Sequence, residues 1–275
     1  MNKSKNCIIK CQMCMGGKKL MGLGMIFGPA LGGELGKSSF SLPFLVAGGL
    51  ALLLLPFTWT FLPESLKQAS KDVSERRRPK LTLGVVKDPL FALFAFNFVI
   101  SFSMSMFEST FALFSAAKVG FGPEKMGMTF AILGIFAVIV QGGLIGPLVK
   151  KFGEATLVKF GAVLSAIGLI LIIILSGNAI LLVMSTVVFM VGNSLMTPTS
   201  SSLVTKQSSQ GQGASLGLFQ SFASLGRVFG PVTGGALFDL GMGLPYITGS
   251  AFLLMIVLVA GRKIDVHAKA PLVQE

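Results

Sequence analysis

Two stretches of the sequence, Gly24-Met25-Ile26-Phe27-Gly28-Pro29-Ala30-Leu31-Gly32-Gly33 and Gly226-Arg227-Val228-Phe229-Gly230-Pro231-Val232-Thr233-Gly234-Gly235, share the spacing GxxxGPxxGG. With 34 Gly and 12 Pro among 275 residues, chance supplies on the order of 0.003 copies of that spacing. Both copies lie in apolar surroundings. There, glycines four apart let two helix backbones approach closely, and the proline removes a hydrogen bond and bends the helix. Either copy alone reads equally well as ordinary helix packing. The matched pair, six apolar runs apart, is the signature of a transporter built from repeated bundles.

The rest of the chain fits that setting. Hydrophobic residues make up 52% and charged residues 12%, against about 45–50% and about 25% in an average soluble domain. The mean hydropathy is +0.79. A bilayer-spanning helix needs about 20 mostly apolar residues, and eight such runs are predicted: 20–35, 40–62, 90–114, 126–149, 155–175, 179–203, 216–240 and 244–260. The expected fold is an all-α membrane protein. Between the second and third runs the composition turns polar and basic, with Arg76-Arg77-Arg78, as in a solvated linker. The later connections, such as Ser176-Gly177-Asn178 and Gly241-Met242-Gly243, are short, so neighbouring helices should run antiparallel.

The net charge of +12 does not mark a nucleic-acid binder, because the basic residues are not interleaved with aromatics on one face. They follow membrane topology instead. On the eight-span arrangement 19 Lys and Arg fall on one side and only Lys37, Lys118 and Lys125 on the other. The side rich in Lys and Arg is the cytoplasmic one, so both termini are expected in the cytoplasm of a multi-pass cell-membrane protein. A single His and a single Tyr argue against an acid-base enzyme.

With these motifs in hand, the sequence resembles the major facilitator superfamily, and within it the drug:proton antiporters that include tetracycline-efflux proteins. The first glycine-proline copy is similar to the antiporter motif of the family's fifth helix, and the second to its counterpart in the eleventh. Leu62-Pro63-Glu64-Ser65 resembles the end of a sixth helix, and Gln141-Gly142-Gly143-Leu144-Ile145-Gly146 part of an eighth. The following run, Gly146-Pro147-Leu148-Val149-Lys150-Lys151-Phe152-Gly153, resembles the loop signature GxLaDrxG, with Lys150 in place of its Asp. The resemblance spans about Leu20 to Lys263 and matches helices five to twelve, with helices one to four missing. It implies a cytoplasmic tail (1–19), two helices of an incomplete N-terminal bundle (20–62), a cytoplasmic central linker (63–89), a six-helix C-terminal bundle (90–262) and a cytoplasmic tail (263–275). Gly24, Gly28, Pro29, Gly32 and Gly33, with Gly226, Gly230, Pro231, Gly234 and Gly235, are the implied packing and gating elements.

Several polar residues stand inside the predicted spans. Asn97, Ser101, Ser105 and Glu108 recur at spacings of 4, 4 and 3, which confines them to about 80° of one helix face. Glu108 is the only acid more than a turn or two inside a span. A carboxylate in lipid is costly when charged, which suits a proton-coupling or cation-binding group; a structural partner for Arg227 or a hydrated helix-end residue is the other reading. Gln220, Ser224 and Arg227 share a second face. Arg227 suits contact with an anionic substrate group, pairing with an acid, or binding of backbone carbonyls in the bent segment. Asn97, Gln141 and Gln220 are candidates to line a cavity or to join helices by hydrogen bonds. Glu34 and Asp239 fall at helix ends, where water reaches them.

Two motifs lack the context their chemistry needs. Cys7, Cys11 and Cys14 have the spacing of an iron-sulfur loop, but a membrane helix follows at once where a soluble barrel is required. Gly32-Gly33-Glu34-Leu35-Gly36-Lys37-Ser38 resembles a phosphate-binding loop, but Leu31 stands where its first glycine belongs and no strand precedes it. No metal and no cofactor is expected. The expected function is secondary active transport resembling proton-coupled efflux of drugs or other small amphipathic compounds, with the lipid bilayer, protons and a small-molecule substrate as partners. Two alternatives stand beside it: a truncated or split transporter fragment, inactive alone and served by a separate chain carrying the missing helices, and a sugar or metabolite exporter of the same superfamily.

Overall fold

The computed structural model describes residues 28, 31–36, 39, 41–61, 90–207 and 212–269. The expectations on Cys7, Cys11, Cys14, Gly24, Pro29, Leu62-Pro63-Glu64-Ser65 and the central linker lie outside the described residues. Among the described residues there is no strand. After a helical stretch at 31–36, the elements are α1 (Leu42–Phe61), α2 (Phe91–Val119), α3 (Pro123–Ile139), a π-helical turn (Val140–Leu144), α4 (Ile145–Phe152), α5 (Glu154–Ile174), α6 (Ala179–Gln207), α7 (Gln212–Leu240) and α8 (Leu244–Lys269). The α3, π and α4 segments form one continuous span, Pro123–Phe152. This span, α2, α5 and α6 are each long and apolar enough to cross a membrane, while shorter apolar stretches occupy Leu42–Pro56 and Leu244–Val259.

Local chemistry sets the corners. Gly120 ends α2 in the left-handed region, at φ 64°, and donates its N–H to Ala116, a conformation that costs glycine nothing sterically. Three residues later Pro123 opens α3, where its missing N–H is no loss. Asn178 caps α6 by accepting the N–H of Ile180 on Oδ1 at 2.9 Å.

The helices of 90–269 pack closely because small residues sit where they cross. Along α5, Gly161, Ser165 and Gly168 face α6: a Cβ on Gly161 would stand 2.8 Å from the Gly192 carbonyl oxygen, and one on Gly168 would overlap the Phe189 backbone. Ser165 Oγ donates to Phe189 O at 3.1 Å across the same crossing. The second close crossing joins α2 to α7 and is described below. Around these crossings the core is aromatic, with the Phe107 ring tilted at 4.8 Å against both Phe111 and Phe189, and Phe114 at 4.9 Å from Tyr246. At one end of the bundle Glu154, at the start of α5, accepts from Ser202 Oγ at 2.6 Å and pairs with Lys206 Nζ at 2.8 Å. This fastens α5 to the last turns of α6.

The N-terminal part is different. Along α1 the apolar side chains Phe44, Leu45, Leu52 and Leu53 are each at least two-thirds exposed. Among the described residues of the first glycine-proline copy, Gly33 meets the larger bundle: a Cβ on it would lie 2.9 Å from Gly127 Cα of α3.

Packing of this kind predicts an asymmetry among glycine substitutions. Gly168→Ala must push α5 off α6 and should cost about 1–3 kcal/mol, as overpacking does, seen as a lower thermal unfolding midpoint in detergent. Gly217→Ala, on a part of α7 with nothing within 4 Å, should leave the midpoint unchanged or raise it, since alanine is the better helix former by roughly 0.5–1 kcal/mol.

Candidate functional site

The polar stripe of α2 lies along the α2–α7 seam. Three glycines of the second motif copy make that seam tight: a Cβ on Gly226 would stand 2.6 Å from Phe98 O, one on Gly230 2.9 Å from Phe102 O, and one on Gly234 2.8 Å from Met106 Cγ. With no side chain on that face of α7, the α2 polar groups reach α7 carbonyls. Asn97 Nδ2 donates to Phe219 O at 2.7 Å and Ser105 Oγ to Arg227 O at 3.3 Å, while Ser101 Cβ packs over Gly226. Asn97 and Ser105 thus link helices, satisfying polar groups that lipid cannot.

Glu108 stands apart from the other three. It is exposed at the open edge of the seam, and on α7 the exposed residues Gln220, Ser224 and Arg227 flank the same edge. Glu108 and Arg227 form no ion pair with one another among those of the described residues. Ser224 Oγ is committed to the Gln220 carbonyl at 3.0 Å within α7. An anion and a cation at the border of a water-poor surface, without direct contact, can exchange partners with a charged or protonatable ligand.

The remaining sequence candidates scatter. Gln141 is exposed in the π turn, on the α3–α4 span. A Cβ added to Gly28, Gly32 or Gly235 would meet nothing within 4 Å, so of the first copy's described glycines only Gly33 makes a close approach. Pro231 lies inside α7, exposed. Glu34 and Asp239 are exposed too.

Two polar arrangements were not foreseen from the sequence. In the α2–α6 seam Asn193 Nδ2 donates to Met104 Sδ at 2.8 Å, and Thr197 Oγ1 donates to Asn193 O at 3.2 Å. The signal available was an amide alone in the middle of an apolar run. The Glu154–Ser202–Lys206 clamp pairs residues 48 and 52 positions apart, a distance over which neither periodicity nor spacing speaks.

Geometry separates the two carboxamide and carboxyl candidates of α2 by their effect on stability. Asn97→Ala should cost roughly 0.6–2 kcal/mol, the range of an interhelical hydrogen bond in a membrane. Glu108→Gln, at an exposed edge, should fall within about 0.5 kcal/mol of the parent. Thermal unfolding of both variants in detergent checks the difference.

A family model described as the Major Facilitator Superfamily matches residues 20–157 and again 139–272. Among curated relatives, the chain is 31% identical over 229 residues to Multidrug resistance protein 2 of Bacillus subtilis, covering 82% of this chain and 57% of that protein. It is 32% identical over 250 residues to Multidrug resistance protein 1 of the same organism, covering 90% and 63%. It is 27% identical over 237 residues to Quinolone resistance protein NorA of Staphylococcus aureus, covering 86% and 61%. The chain thus spans somewhat under two thirds of the length of these relatives.

Proposed function

Because this chain belongs to the major facilitator superfamily, we propose that it works in the cell membrane as the larger part of a secondary active exporter of drugs or other small amphipathic compounds. What supports the substrate class is similarity to two proteins named for multidrug resistance and one named for quinolone resistance. In this reading residues 90–262 form a six-helix bundle and 20–62 two helices of its counterpart, joined by the cytoplasmic linker 63–89. The bundles rock about a site between them. Both termini face the cytoplasm, which agrees with the basic cluster Lys150, Lys151 and Lys206 at one end of the 90–269 helices.

The observation that carries the mechanism is the open edge of the α2–α7 seam, where Glu108 and Arg227 are both exposed and form no ion pair among those of the described residues. Glu108 is the proton-coupling carboxylate. Protonated, it loses its attraction to Arg227 and the edge changes its net charge by one, which is the change that substrate release requires. Gly226, Gly230 and Gly234 keep α2 and α7 together as one rigid unit, so that the charge change is felt by the bundle and not absorbed between the two helices.

A second reading is favoured by two observations. Leu45, Leu52 and Leu53 of α1 are each at least two-thirds exposed, and the chain covers 57–63% of the relatives above. In that reading transport needs a separate chain carrying four further helices.

Efflux of an amphipathic cationic dye from everted vesicles tests both. With an imposed pH gradient, the chain alone, or the chain co-expressed with a four-helix segment from a relative, should move dye, and Glu108→Gln should reduce this to the leak rate without lowering the amount of protein in the membrane. Full pH-driven flux in Glu108→Gln would remove the carboxylate from the mechanism. Flux only on co-expression would select the split form.

A further inference from the structure

On the outer surface of the bundle a groove of about 450 Å³ runs between α3 and α6. Ile132 and Phe136 form one wall and Ile180, Val183, Met184 and Val187 the other. Lys125 is the one charged residue among those that line it, and Phe121 stands beside it at the mouth, with Lys125 Nζ 5.9 Å from the Phe121 ring centroid.

On α3 the groove residues lie away from the contact with the N-terminal part. At roughly 100° per residue, Ile132 and Phe136 lie about 140° and 180° round α3 from Gly127, the residue that Gly33 of the N-terminal part touches. On α6, Val183 and Val187 lie about 120° and 160° round from Phe189, and about 80° and 120° from Asn193; Phe189 and Asn193 meet Phe107 and Met104 of α2. Ile132, Phe136, Ile180 and Met184 are exposed along it, an apolar surface suited to lipid in a membrane.

Its dimensions fit one leaflet. From Lys125 to Phe136 the helix rises ~16 Å, about half of a hydrocarbon core of ~30 Å. A cation at the interface therefore caps an apolar trough as deep as one acyl chain is long. We propose that this groove binds an anionic phospholipid, with an acyl chain against Ile132, Phe136, Ile180 and Val183 and the phosphate on the Lys125 ammonium. An ammonium is a compact point charge suited to a phosphate oxygen. A cationic drug would meet Lys125 as a like charge, and a soluble anion would gain nothing from the apolar walls.

The test needs no transport. The full chain, purified and stripped of lipid, is placed in nanodiscs of phosphatidylcholine with or without phosphatidylglycerol, and native mass spectrometry counts the lipid retained. One phosphatidylglycerol per chain should be kept in roughly fivefold preference to phosphatidylcholine, the ratio that corresponds to one lysine at a membrane surface. Lys125→Arg should keep the preference and Lys125→Glu should lose it. Val183→Trp, which fills the trough and leaves the charge in place, should lose the lipid. Equal retention of the two lipids by the parent, or unchanged phosphatidylglycerol retention in both Lys125→Glu and Val183→Trp, would overturn the proposal.

Discussion

Inside a bilayer, apolar side chains gain nothing by leaving lipid for one another, so helices are joined chiefly by dispersion at close range and by hydrogen bonds between them. Everything in this bundle follows from that constraint. At the α2–α7 and α5–α6 crossings the side chain is reduced to a hydrogen on one face, the backbones meet, and carbonyl groups come within reach of Asn97, Ser105 and Ser165. Larger residues at these positions would remove both the dispersion and the hydrogen bonds at once. The aromatic core fills the space between the two crossings; it does not create them.

The same constraint shapes the candidate site. A seam closed by backbone contact leaves no room for a charge within it, so an acid on the α2 stripe has to stand at its rim. Glu108 does so, and so does Arg227 from the other helix. Had α7 carried leucines in place of Gly226, Gly230 and Gly234, the two helices would stand further apart and the two charges with them. The relation between a packing motif and a charged pair is therefore mechanical: the glycines fix the distance across which the charges act.

The all-helical class and the membrane setting were legible in composition and in the lengths of the apolar runs, because both are set by bilayer thickness. The duplicated glycine-proline spacing led to the superfamily, since a pattern of that rarity needs a repeated architecture. What a local pattern does not contain is the partner of each face. The four residues from Asn97 to Glu108 share one side of α2, yet Asn97 and Ser105 bond to α7 carbonyls while Glu108 is left at the rim, a division set by how far the α7 glycines extend. Likewise Gly32 and Gly33 are neighbours in one motif, but only Gly33 meets another backbone. The Asn193–Met104 bond and the Glu154 clamp depend on which helices cross, and that is decided by the whole chain.

The π turn at Val140–Leu144 has a consequence for the length of its span. Such a turn accommodates one residue more than a regular helix without disturbing the helical phase on either side. Leu133 and Ala137 before it pack with Val187 and Met190, and Ile145, Leu148 and Val149 beyond it lie against Val140, Leu157 and Leu195, so both flanks are locked in rotation. Loss or gain of a residue elsewhere between Pro123 and Phe152 turns everything downstream by about 100° and unseats one flank or the other. Within 140–144 the loss of one residue simply restores an ordinary helix. The segment is a slip joint, the one place where this membrane crossing can change its count of residues and keep both ends in register.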